Sequence, residues 1–302
     1  MLSKIAQRMK MIHDARYRNF YFQRMVTDIP TRERKAEALA ARLPAFQTVQ
    51  ARDIEERAAI LDQDGFVMME NVVPSTWVND MRTYFSETPC SDPYRPQLGS
   101  FLAPSGAPKG THVAFFGNEA VTAAPHAFEI ANHPSILGVA ARFLGSKPTI
   151  SYITAWWSVP AGDGTAQHAE NYHRDVDDWR FVKFFIYLTD VDDTAGPHRF
   201  VRGSHRINRL TPIRRYTDEE VHAAFGAENE VSFTGKAGTC FLENTYGMHR
   251  GYPPKSTPRL IFQVLFSQRE VIYGPKRSLV RIGEGAPSGI DPYVNRVYCS
   301  AA

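Results

Sequence analysis

Apolar positions in the first sixty residues recur at helical spacing. Leu2, Ile5, Met9 and Ile12 fall three or four apart, and residues 31–43 and 51–61 are rich in Ala, Glu, Arg and Leu, with a break near Pro44. Asp64-Gly65 then turns the chain into a short apolar strand, Phe66-Val67-Met68-Met69. A helix is predicted after Pro74, with Ser75 as its cap and Trp77, Met81 and Phe85 on its apolar face. Residues 87–110 carry five prolines and three glycines, which predicts a long structureless stretch of the kind that often serves as a lid. One further helix fits 134–144. From Thr149 the period shortens, with β-like runs at 149–159, 181–189, 198–202, 231–234, 239–243 and 260–267. Helices followed by many short strands predict a mostly β fold with flanking helices: a β-sandwich or barrel over 59–302, with residues 1–58 as a helical extension packed on it in a single domain.

Composition narrows the class without naming a function. The 302 residues are 43% apolar and 22% charged, ordinary globular values that exclude a disordered chain. There is no apolar run of the roughly 18 residues a membrane span needs, and the first residues lack the apolar core of a secretory signal. Three cysteines, far apart and outside any CxxC, argue against a disulfide scaffold or zinc ribbon and for a reducing, cytoplasmic location. Aromatic residues make up 12%, enough for a large core and an aromatic-lined cavity.

The formal charge of +3 hides an asymmetry: residues 1–35 carry a net +6 and the remainder a net −3. The basic leader with its apolar stripe reads first as a helix docked on the body with its basic residues solvated. The sharper alternative is peripheral contact of residues 1–26 with an anionic membrane surface or glycolipid. No nucleic-acid partner is expected, since the body is slightly acidic and no reader motif is present.

The densest group of potential ligands is Gln167-His168-Ala169-Glu170-Asn171-Tyr172-His173-Arg174-Asp175. In extended backbone His173 and Asp175 point to one face. With a third ligand they would form a facial set of two imidazoles and one carboxylate, the arrangement of non-haem iron oxygenases. His168-Ala169-Glu170 is a rival of the same form. Context separates them. An apolar run, Phe181 to Leu188, ends in Thr189-Asp190; Gly196-Pro197-His198 leads through Phe200 to Arg202-Gly203-Ser204-His205; Gly238-Thr239 precedes a strand; His249 follows, and ten residues later Arg259 heads a strand.

Together with the Asp64-Gly65-Phe66-Val67 opening, these motifs resemble the phytanoyl-CoA dioxygenase family of Fe(II)/2-oxoglutarate oxygenases over residues 60–270. Arg202-Gly203-Ser204-His205, Gly238-Thr239 and His198 stand where the family has Pro-Gly-Ser-His, Gly-Asp and Leu, and these departures bear on subfamily and substrate. The resemblance implies a double-stranded β-helix (jelly-roll or cupin-like) barrel, with His173, Asp175 and His249 as iron ligands and Arg259 clamping the distal carboxylate of 2-oxoglutarate. It also implies that Trp179 lines the co-substrate pocket, and that Fe(II), 2-oxoglutarate and O₂ are used. Strand alternation agrees on Arg259, which shares a face with Ile261, Gln263 and Leu265 and, set in so apolar a run, needs a buried anion.

Ser158 and Thr154, on the strand entering the motif, are candidate partners of 2-oxoglutarate, and His205 reads as a structural hydrogen-bonder. His168 and Glu170 are candidate substrate contacts. Arg199 belongs to a cluster with Arg202, Arg206, Arg209, Arg214 and Arg215 that suggests an anionic small-molecule substrate. The expected reaction is hydroxylation of an unactivated C–H of a metabolite or natural-product intermediate, releasing succinate and CO₂. Desaturation is a variant of it, and an anionic glycolipid sugar is a second substrate class. The carboxylate at Asp175 argues against halogenation, since related halogenases carry a small residue there. A non-catalytic cupin-like ligand-binding protein and a divalent-metal hydrolase remain the rivals.

Overall fold

The computed structural model describes residues 11–47, 51–162 and 165–300. Leu2, Ile5 and Met9 of the expected basic helix therefore lie outside the described residues. The chain next forms helices Ala15–Arg24 and Ile29–Ala40, each opened by an aspartate, Asp14 or Asp28, whose side chain accepts a backbone N–H of the first turn. Helix Arg52–Asp64 ends at Gly65, whose φ of +89° suits glycine alone at low cost. Helix Ser75–Glu87 begins at Ser75 itself, so Pro74 and not Ser75 flanks the start, and no side chain caps it. Helix Pro134–Leu144 has the bounds its apolar spacing predicts.

The strands form two main sheets. The larger follows the order β1-β9-β6-β11-β5-β4-β2-β3, all neighbours antiparallel. Its members are β1 (Phe66–Met68), β2 (Cys90–Ser91), β3 (Ser100–Phe101), β4 (Val113–Phe115), β5 (Thr149–Ser158), β6 (Phe181–Tyr187), β9 (Cys240–Glu243) and β11 (Arg259–Ser267). The smaller sheet joins β10 (His249–Gly251), β7 (His198–Val201) and β8 (Glu230–Phe233). This is a jelly-roll, cupin-like pair of sheets. The Pro-rich stretch is not structureless: it supplies the β2–β3 edge hairpin, with Pro93 and Pro96 in its loop and the other three prolines outside the pairing residues.

Alternation along the central strands divides the molecule into two apolar layers. Val182, Phe184 and Ile186 of β6, with Phe262 and Val264 of β11, face outward against Ile54, Leu61 and Ile136 of the covering helices. Phe185, Tyr187 and Ile261 face inward, where they meet Phe200 and Phe233 of the small sheet. Ile54, Ala58 and Leu61 of helix Arg52–Asp64 all pack in the outer layer. The earlier helices dock on the segment after residue 175. The buried Arg32 donates to the carbonyls of Gln23, Val26 and Asp178, and Gln23 donates to the carbonyl of Val176. Among the described residues no helix is long and apolar enough to cross a membrane.

Candidate metal centre and its cavity

An isolated antiparallel bridge pairs His173 with His249: each N–H donates to the other's carbonyl at 3.0 Å. Two residues on, the Asp175 N–H donates to the Thr245 carbonyl at 2.9 Å. The backbone of the two segments thus sets three ligand side chains facing one another. One donor atom from each of His173, Asp175 and His249 lies within 4.8 Å of the others, and among the described residues this is the only such cluster of three. Each imidazole Nδ1 is 2.9 Å from a carbonyl, Asn171 for His173 and Gly247 for His249. A carbonyl only accepts, so Nδ1 carries the proton and Nε2 is left to face the cluster. Asp175 lies between, with Oδ1 3.5 Å from His173 Nε2 and Oδ2 3.4 Å from His249 Nε2. Two neutral nitrogens and a carboxylate, fixed from outside and open on one side, suit a divalent first-row metal.

Electrostatics hold the donors in the required states. Burial resists ionisation of Asp175, but Lys183 and His249 override it and hold the carboxyl well below the usual range. Burial, reinforced by the neighbouring His249, pushes His173 down to about 4 and keeps it neutral. Burial also lowers His249, but Asp175 more than compensates and raises it.

The triad opens into a cavity of about 340 Å³. Arg259, the first residue of β11, sits opposite Ser158 of β5, is 3% exposed and donates from Nη2 to Ser158 Oγ at 3.1 Å. Its Nε and Nη1 are buried with no hydrogen-bond partner, and so is Thr154 Oγ1 on the same cavity wall. Orphaned guanidinium donors beside the Ser158 hydroxyl form a cradle for a carboxylate, which is the fit 2-oxoglutarate requires, while Thr154 lies four residues along β5, opposite Gln263. Ile261, Gln263 and Leu265 share the cavity face with Arg259, as alternation predicts.

His168 and Glu170 reach the cavity wall but not the metal cluster. Their segment forms a 3₁₀ turn, in which Glu170 accepts from Gln167 N at 2.6 Å and pairs with His112 at 2.8 Å, while His168 stacks on Tyr94 at 3.7 Å. Trp179 is a correction: it is outside the cavity, edge-on to Phe22 and under the Arg32 guanidinium. The chain turns outward after Asp177 because Asp178 is anchored by Arg269 and its carbonyl by Arg32. Arg199 is another correction. Alternation along β7 turns it away from the cavity, where it pairs with Glu230 at 2.6 Å and stacks on Tyr252.

The neighbouring arginines are likewise engaged at the surface, Arg202 by Asp64, Arg206 by Asp62, Arg209 by the Ala224 carbonyl and Arg214 by Glu220. Arg215, the remaining member, interacts electrostatically with Asp175, His173 and Tyr94 of the cavity. Arg199→Ala is expected to change kcat/KM less than about threefold and stability by under about 1 kcal/mol, the scale of partly exposed pairs, in steady-state assays and urea titration. His205 holds the Asp62 carbonyl at 2.8 Å, a structural bond.

The sequence reading passed over Lys183, Asp177, His198 and Glu243. The first three line the cavity, and Lys183 Nζ is 2.6 Å from Asp175 Oδ2. A lysine inside Phe181-Val182-Lys183-Phe184-Phe185-Ile186-Tyr187 is the same signal that singled out Arg259. Glu243, fully buried, lies opposite Lys183 in the β6–β9 register with Oε2 2.8 Å from His198 Nε2, outside hydrogen-bonding angles. Burial raises the Glu243 carboxyl to about 8. A carboxyl raised on folding stabilises when protonated, so stability falls as pH rises from the usual glutamate range toward 8. Glu243→Gln is expected to flatten that slope in metal-free protein, measured as denaturation midpoints between pH 5 and 8.

No curated protein sequence matches the chain. Among solved structures, EctD from S. alaskensis with 2-oxoglutarate and 5-hydroxyectoine superposes with a TM-score of 0.53 at 20% identity, covering 85% of this chain and 91% of that one. The same enzyme with bound Fe gives 0.54 at 18%, covering 86% and 92%. The carbocyclase SnoK from nogalamycin biosynthesis gives 0.51 at 19%, covering 70% and 83%. At these identities the likeness speaks for the fold. The phytanoyl-CoA dioxygenase (PhyH) family model matches residues 61–259, about two-thirds of the sequence and the whole of the metal site up to Arg259. The chain belongs to the phytanoyl-CoA dioxygenase family of iron- and 2-oxoglutarate-dependent oxygenases.

Proposed function

We propose that this protein hydroxylates a C–H bond of a small metabolite or natural-product intermediate, with His173, Asp175 and His249 holding Fe(II) and Arg259 holding 2-oxoglutarate. The observation that carries this reading is the buried Arg259 guanidinium, with two nitrogens unpartnered, in the same cavity as the triad. A metal hydrolase on the same three ligands would leave that guanidinium without a role. When bound, the iron and 2-oxoglutarate supply an O₂-driven oxidation that yields succinate and CO₂.

The protein's own work is placement and exclusion of water. Nε2 of each histidine is presented by a backbone-anchored Nδ1–H. Ser158 lies beside the Arg259 fork, so the distal carboxylate of the co-substrate exchanges water for several directed donors. Phe115 stacks on Trp156 at 5.3 Å, giving the substrate a flat wall, while Tyr94 and His168 form a second stacked pair on the cavity lining. These stacked walls favour a substrate with a flat, apolar face.

The test is succinate formation by protein reconstituted with Fe(II) under air, screened against metabolite pools for stimulation. Substrate-stimulated succinate that depends on both Fe(II) and 2-oxoglutarate is the expected result. Hydrolysis products formed without 2-oxoglutarate would point to the metal hydrolase instead.

A further inference from the structure

Lys183 lies on the inward face of β6, level with Glu243 across the β9 pairing, and is 9% exposed. A lysine enclosed to this degree needs anionic partners, and it has two. Its ammonium is 2.6 Å from Asp175 Oδ2 and 3.0 Å from Asp177 Oδ2. Asp177 is 4% exposed and Asp175 is a member of the triad. The two aspartates alternate along one extended segment, so a single cation from the opposing sheet spans both. Asp175 then presents unequal oxygens. Oδ2 accepts from Lys183 and lies 3.4 Å from His249 Nε2, while Oδ1 lies 3.5 Å from His173 Nε2 and takes no bond from the lysine.

Resting on the metal site proposed above, we infer that Lys183 is a positioning residue that occupies Asp175 Oδ2 and thereby restricts Asp175 to binding the metal through one oxygen. A freely rotating carboxylate can chelate through both oxygens and would occupy a position that co-substrate or O₂ needs. An ammonium donating to Oδ2 competes for that lone pair and fixes the carboxylate's rotation. Asp177 in turn fixes the lysine, so the restraint runs Asp177–Lys183–Asp175 and is complete before the metal arrives. The role is separate from charge balance, which a lysine anywhere nearby would supply; it depends on one directed bond to one oxygen.

The experiment is Co(II) titration of the metal-free full-length protein, read by visible absorption and calorimetry without 2-oxoglutarate or turnover. Lys183→Met is expected to keep or gain Co(II) affinity and to show an altered d–d spectrum, because freeing Oδ2 lets the carboxylate become bidentate or Asp177 enter the coordination sphere. Lys183→Arg, which keeps a donor, is expected to restore most of the wild-type spectrum. Should Lys183→Met fail to fold, Asp177→Asn leaves the lysine in place without its anchor and is expected to shift the spectrum in the same direction. An unchanged d–d spectrum in these variants, whatever their Co(II) affinity, overturns the inference. His173→Ala separates this from failure of the site itself: if that variant still binds Co(II) as wild type does, the metal lies elsewhere and the functional reading falls with it.

Discussion

Protein carrying His173→Ala is expected to fold, to hold no stoichiometric iron and to form succinate at least about a thousandfold more slowly, roughly 4 kcal/mol of lost transition-state stabilisation. The fold survives because what His173 gives the architecture is backbone. Its N–H and carbonyl bond His249, and alanine keeps both. The side chain contributes one hydrogen bond, from Nδ1 to the Asn171 carbonyl, and that bond aims Nε2 at the cluster. Removing it leaves Asp175 and His249 as two ligands that hold each other at 3.4 Å, a pair with no third donor to close a facial set. Metal analysis of the purified variant, with circular dichroism and thermal melting as controls on folding, separates loss of the site from loss of the protein.

Arg259→Gln is expected to leave iron binding intact and to raise the 2-oxoglutarate concentration for half-saturation about a hundredfold, roughly 2.8 kcal/mol at 1.4 per tenfold. That matches the loss of one or two charge-assisted hydrogen bonds at about 1.5–3 kcal/mol each. Arg259→Lys falls between, since an ammonium keeps the charge but cannot form the planar fork. A second outcome comes from burial. Without an anion, Arg259 is a fully desolvated cation whose pKa burial lowers, and two of its nitrogens are unsatisfied. The metal-free glutamine variant is therefore expected to be at least as stable as wild type in urea. Added 2-oxoglutarate should stabilise the wild type and not the variant, by the linkage of ligand binding to folding.

The parts of this molecule that could be read in advance are those where one period dominates. Period-two alternation placed Arg259, Ile261, Gln263 and Leu265 on one face of β11, and all four line the cavity. Apolar spacing located helix Pro134–Leu144, which is buried along most of its length. Trp179 was misplaced because what turns it outward is non-local: Arg32, in a helix some 150 residues earlier, and Arg269, ninety residues later, together fix Asp178. The arginines after Gly196-Pro197 look like a binding face in sequence, and only the fold brings Glu230, Asp64 and Glu220 to them. Lys183 and Glu243 carried a legible signal, a charge in an apolar strand. Their meaning needed the β6–β9 register that sets them opposite each other beside Asp175.

The central claim is that one cavity holds both Fe(II), on His173, Asp175 and His249, and 2-oxoglutarate, on Arg259. The most direct measurement is the visible spectrum of the protein with Fe(II) under strict exclusion of oxygen, before and after 2-oxoglutarate. The account predicts a metal-to-ligand charge-transfer band that saturates at one equivalent of iron, is absent from His173→Ala, and requires far more 2-oxoglutarate in Arg259→Gln. No band at saturating iron and 2-oxoglutarate, with iron content unchanged by His173→Ala, would contradict it.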